Sequence, residues 1–159
     1  MGASIGRAFF MPRVSRKGLV RLRLIRNIHR MTETTHEIRA ILDLFRALPQ
    51  GDDEAIDTAS DRLNARPGRA AGRVTAWSVR RASDLLQHGA RRPVRFGRPG
   101  EAPTMHECSI LEVLFALARG DEDSARRHAL WLVRADMADR FVERLSPAAE
   151  TLASRALAA

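Results

Sequence analysis

The chain is 159 residues long, 45% hydrophobic and 29% charged, with a formal charge of +8 and one cysteine. These values suit a single domain able to bury a core. They exclude a disordered chain, an intrachain disulfide and, because no run nears ~18–20 uninterrupted apolar residues, a membrane-spanning helix.

The charge is unevenly placed. Seven arginines and one lysine precede the first acid, Glu33, and from Glu33 onward 19 basic residues face 19 acidic ones. Two units are expected: a basic arm at 1–31, unstructured or poorly packed, and a single all-α domain at 32–159. The arm has several readings. Its apolar runs, Ala8–Met11 and Leu19–Val20, are a poor match to a secretory signal. It is Arg-rich and acid-free like a transit peptide, and its charge suits tracking of phosphates. Alternatively, Met31-Thr32-Glu33-Thr34 is a natural start, and the residues before it are upstream sequence read in frame. The chain uses one lysine and is rich in alanine and arginine. That is the habit of a GC-rich, bacterial genome, and one cysteine fits a reducing cytoplasm.

Helix signals follow in order. Thr34-x-x-Glu37 is a capping box, and Ile38, Ile41, Leu42, Phe45 and Leu48 recur at helical spacing. Pro49-Gln50-Gly51 ends this helix. Asp52 caps a second one with Ile56, Ala59 and Leu63 on its apolar face, and Pro67-Gly68 stops it. A third helix spans about residues 69–88, with Val74, Trp77, Leu85 and Leu86 as the bulk of its inner face. Ser78 and Ala82 leave room there for a close neighbour. Gly89 stops it, and the Arg/Pro/Gly-rich segment 90–103 is a loop. Thr104-x-x-Glu107 is a second capping box, opening an apolar helix through Ile110, Leu111, Leu114, Phe115 and Leu117. Gly120 ends it and Asp121 caps the next, with Ala125, Leu130, Trp131 and Leu132 as apolar positions. Asp136 opens a short helix, and Ser146-Pro147 is expected to start a separate last one. The fold class is a compact all-α bundle of about seven helices.

Two segments echo each other. Leu44–Ala55 and Leu114–Ala125 each carry a helix end, a Gly-Asp turn and a helix start. The expectation is an αα-hairpin made twice. Gln50–Ile56, followed by Pro67, also resembles the second half of a tetratricopeptide repeat, a family that stacks helix pairs and binds peptides in a concave groove. The resemblance covers about twenty residues. The large aromatic positions of the pattern are absent and no copy follows after about 34 residues, so it is read as a likeness of hairpins.

Candidate chemistry is sparse. There is no phosphate-binding loop, no nucleophile elbow and no dinucleotide fingerprint, so catalysis and cofactors are not expected. His106, Cys108, Glu112 and His128 are the one group of metal-ligand types. An antiparallel pairing about Gly120 would set Glu112 opposite His128. Cys108 near a helix start is a weak candidate for a reactive thiol. Arg91, Arg92, Arg95 and Arg98, with Phe96 among them, lie in an acid-free stretch suited to phosphate or carboxylate, and Arg80 and Arg81 before it add to the patch. Phe96 would stack on a base or else plug the core.

The expected function is contact with another protein, as a cytoplasmic adaptor or regulator, without catalysis. Trp77, Trp131 and Phe96 are candidate contact residues, the tryptophans being also expected core. The alternative is association with nucleic acid through residues 80–98 and the arm. No membrane partner is expected, and a homo-oligomer is compatible with the sequence.

Overall fold

A computed structural model describes residues 32–65 and 69–158. The basic arm at 1–31 and the Pro67-Gly68 stop lie outside the described residues. The chain divides into two units, Met1–Thr35 and His36–Ala159, and the second carries the described core.

The described residues form six α-helices: α1 (Thr32–Ala47), α2 (Asp53–Asn64), α3 (Arg69–Gly89), α4 (Met105–Ala118), α5 (Glu122–Ala129) and α6 (Ala138–Ala158). Short 3-10 turns cover Leu48–Gln50 and Ala135–Met137. No strand occurs among the described residues. An isolated antiparallel bridge joins Ala90 to Val133, where the chain leaving α3 passes the chain leaving α5. The protein is all-helical, as its periodicity implies.

The helices form where apolar residues recur on one face. Ile38, Ile41, Leu42 and Phe45 of α1 are buried, as are Ile56, Ala59 and Leu63 of α2, and Ile110, Leu111 and Leu114 of α4. Each fully buried Ile, Leu or Phe side chain among these stabilises the fold by about 1.5–3 kcal/mol. The two echoing turns are built alike. Gly51 and Gly120 adopt left-handed φ of 64° and 71°, which a β-carbon disfavours. Asp52 accepts from the Ala55 amide at 3.0 Å and Asp121 from the Ser124 amide at 2.9 Å. α4 and α5 pack on each other across the second turn, and both contact α6.

The first helix starts at Thr32, two residues before the expected Thr34 cap. The second capping box forms as expected: the Thr104 hydroxyl accepts from the Glu107 amide, and Glu107 accepts from the Thr104 amide at 2.7 Å.

Three expectations are corrected. The inner face of α3 is not built on Val74 and Trp77, which are 43% and 51% exposed. The buried set is Thr75, Ala76, Ser78, Val79, Ala82, Ser83 and Leu86. α3 packs along α6, and small side chains at that seam let the backbones approach. The Ser78 hydroxyl donates to the Arg144 carbonyl across it. A tryptophan there would hold the helices apart. Trp131 is likewise outside the core, in the turn after α5, and 77% exposed.

The third correction concerns Pro147, which lies inside α6 and does not begin a new helix. Interior proline costs about 3 kcal/mol because it removes an amide donor and clashes with the preceding turn. Here Phe141, Leu145, Ala148, Ala149 and Leu152 form one buried stripe running past it. Nearby carbonyls find hydroxyls: Ser146 donates to Val142 at 3.0 Å, and Ser78 to Arg144. Burial of the stripe outweighs the local penalty, so six helices replace about seven.

Candidate functional site

The loop between α3 and α4 is held at many points. At its centre lie Arg46, from the last turn of α1, and Glu107, from the first turn of α4, both buried. The Arg46 guanidinium donates from Nε to Glu107 Oε1 at 2.6 Å and from Nη2 to Oε2 at 3.1 Å. It also donates to the loop carbonyls of Arg98 at 2.7 Å and Glu101 at 3.3 Å. Glu107 in turn accepts from the amides of Gly97 at 3.1 Å and Thr104 at 2.7 Å. A buried carboxylate normally favours protonation. Here burial pushes the Glu107 carboxyl up, but the Arg46 hydrogen bond, the two amides and the Arg46 charge outweigh it and hold it below its ordinary value. Asp43 adds a longer ion pair to Arg46 at 3.7 Å.

Further ties secure the loop along its length. The Arg95 amide donates to His106 Nδ1 at 3.1 Å, and the Thr104 hydroxyl donates to the Arg95 carbonyl at 2.8 Å. Phe96 is half-buried and stacks on Phe45, with centroids 6.4 Å apart and planes 12° from parallel. One face of this ring is thus occupied within the fold. The Arg91 amide donates to the Leu132 carbonyl and its guanidinium to the Leu130 carbonyl, at 3.1 and 3.0 Å.

The arginines singled out from the sequence do not form one patch. Arg81 lies over Trp77, 4.8 Å from the ring centroid. With His88, Arg140 and Arg144 it lines a groove between α3 and α6. Arg80 is exposed and makes a long 3.4 Å contact with Ser60. Arg91, Arg92 and Phe96 line a different concavity, between α3 and the loop. Arg95 and Arg98 point their exposed side chains to neither.

The metal-type group is dispersed. Among the described residues no three His, Cys, Asp or Glu side chains are placed to hold an ion. Glu112 and His128 are half-buried, and no hydrogen bond or ion pair joins them. His106 is engaged by the loop. The half-buried Cys108 thiol lies 3.9 Å from the Pro103 carbonyl.

Sequence reasoning missed the Arg46 partnership and the groove arginines. A signal for the first existed: Arg46 adjoins Phe45 and follows Leu42 by four residues on an apolar helix face. For the second, Arg140 and Arg144 are one helical turn apart.

Among the described residues no helix is long and apolar enough to cross a membrane. No family model, curated protein or solved structure matches the chain.

Proposed function

We propose that the protein acts by binding another protein, as an adaptor or regulator, with the outer face of α3 as its contact surface. The observation that carries this reading is the outward placement of both tryptophans. Tryptophan is depleted on ordinary surfaces and enriched at the energetic centres of interfaces. Trp77 adjoins Val74 one turn away, and Arg73, Arg80 and Arg81 surround it at helical spacing. Arg81, Arg140 and Arg144 continue the positive charge into the neighbouring groove, relieved there by Asp84. An apolar centre rimmed by arginine suits an acidic segment with one or two large apolar anchors. In this reading the helix pairs flanking Gly51-Asp52 and Gly120-Asp121 are αα-hairpins that hold the surface rigid, and the protein works in the cytoplasm without a cofactor.

The test compares the full chain with Trp77→Ala and Trp131→Ala as baits in the lysate of the source cells. Partners held by the wild type and lost with Trp77→Ala support the reading. Retention unchanged by both substitutions refutes it.

A second reading, association with nucleic acid, is favoured by exposed Arg92, Arg95 and Arg98, none of which is ion-paired among the described residues. It requires retention on immobilised DNA that falls steeply with salt and weakens in Arg92→Glu and Arg95→Glu. Elution of the full chain at low salt removes it.

A further inference from the structure

A pocket of about 390 Å³ lies between the C-terminal half of α3 and the start of the loop. Leu86, Val94 and Phe96 form apolar wall, and Ser83, Gln87 and Arg92 bring polar side chains to it. Its volume falls in the range of small-molecule sites, which combine an apolar lining with a few placed polar groups.

Ser83 marks this pocket as unusual. It is 1% exposed, and its hydroxyl has no hydrogen-bond partner among the described residues. Six other helical hydroxyls, Ser60 and Thr75 among them, donate to the carbonyl four residues back. Ser83 does not use Val79 in this way. A buried hydroxyl left without a partner is costly, and such groups are rare enough to need a reason.

The neighbouring arginines differ in a telling way. Arg91 gives one donor to the Leu130 carbonyl, whereas Arg92 has neither an ion pair nor a hydrogen bond among the described residues. The loop wall is fixed by the Arg46–Glu107 pair and by the Phe96–Phe45 stack, so the pocket is pre-formed. The Arg92 guanidinium has all its donors free among the described residues and can hold a carboxylate in a bidentate pair. A phosphate dianion is more strongly hydrated than a carboxylate, and the largely apolar walls would desolvate it at high cost.

We propose that this pocket binds a small organic monocarboxylate with an apolar body. The carboxylate pairs with Arg92 and accepts from Ser83, while the body lies against Leu86, Val94 and Phe96. This site is independent of the Trp77 surface.

The experiment titrates the ¹⁵N-labelled full chain with benzoate, with isovalerate, and with neutral benzyl alcohol, following amide shifts. The expected result is saturable binding of at least one carboxylate, with shifts centred on residues 83–96. Benzyl alcohol should bind at least about tenfold more weakly, a difference of about 1.4 kcal/mol. Arg92→Ala should weaken the carboxylate about tenfold, Ser83→Ala by a smaller factor, and Arg98→Ala not at all. Arg92 and Arg98 are exposed, so these variants fold. The proposal is overturned by non-saturating shifts with both acids, by equal binding of benzyl alcohol, by equal effects of Arg92→Ala and Arg98→Ala, or by shifts centred on Trp77 or Trp131.

Discussion

Replacing Glu107 by alanine removes four acceptor contacts at once and leaves the Arg46 guanidinium buried without its counterion. Breaking one side of a buried ion pair costs about 3–5 kcal/mol. A domain of this size has about 5–15 kcal/mol in all. With a urea dependence of about 2 kcal/mol per molar, the unfolding midpoint should fall by about 2 M. Arg46→Ala should cost a similar amount, and the double variant far less than both losses added, because each single change leaves the other charge stranded. The pH dependence has a defined sign. Burial raises the Glu107 carboxyl, but its hydrogen bonds and the Arg46 charge hold it below the usual range. Stability from a depressed carboxyl is fully present above the unfolded value, about pH 4.3, and is lost as pH falls through the folded value. Wild type should therefore weaken more steeply below about pH 5 than Glu107→Gln, which does not titrate. The Arg46 group, raised by its hydrogen bond to Glu107 against opposing burial, stays charged throughout. Urea unfolding at neutral and acid pH reads all of this. A cost for Glu107→Ala under about 1 kcal/mol, or strict additivity with Arg46→Ala, would refute the reasoning.

Two further outcomes test the helix packing. A β-carbon at Gly72 would lie 2.2 Å from the Leu63 carbonyl oxygen, so Gly72→Ala should lower stability by about 1–3 kcal/mol in thermal melts. A gain of about 1 kcal/mol, as helix propensity alone predicts, would show that α2 and α3 have slack between them. Pro147→Ala restores an amide to the middle of α6 and should raise stability by about 1 kcal/mol. A loss of that size would mean that the local adjustment around Pro147 is required by the packing.

Much of the architecture was readable because its determinants are local. Asp52, Thr104 and Asp121 cap the helices that their positions announce, and Gly51 and Gly120 close the helices before them. Turn chemistry of this kind depends on residues three or four apart, and the sequence displays that spacing directly. The Ser146-Pro147 signal misled for the complementary reason. A local start signal was overruled by a stripe of buried side chains on both sides of it.

The candidate site was less legible. Glu107 was recognisable as a capping residue, but its partner Arg46 is 61 residues away and appears as one arginine among 26. Phe96 was open to two roles, and only the position of Phe45 assigns its ring to the interior. The tryptophans invert the usual expectation, since hydrophobicity says nothing about which side of α3 meets α6. That choice follows from the small residues at the seam, because the gain from close backbone approach outweighs the burial of one indole.

The sequence by itself determined the all-helical class, the capped turns at Asp52, Thr104 and Asp121, and the apolar stripes of α1, α2 and α4, since these rest on short-range spacing. Tertiary structure alone decided that Pro147 stays within a helix, that Trp77 and Trp131 face outward, and that Arg46 and Glu107 share one buried site. Each of those outcomes is set by which surfaces are brought together from distant parts of the chain, and burial energy there exceeds the local preference it overrides.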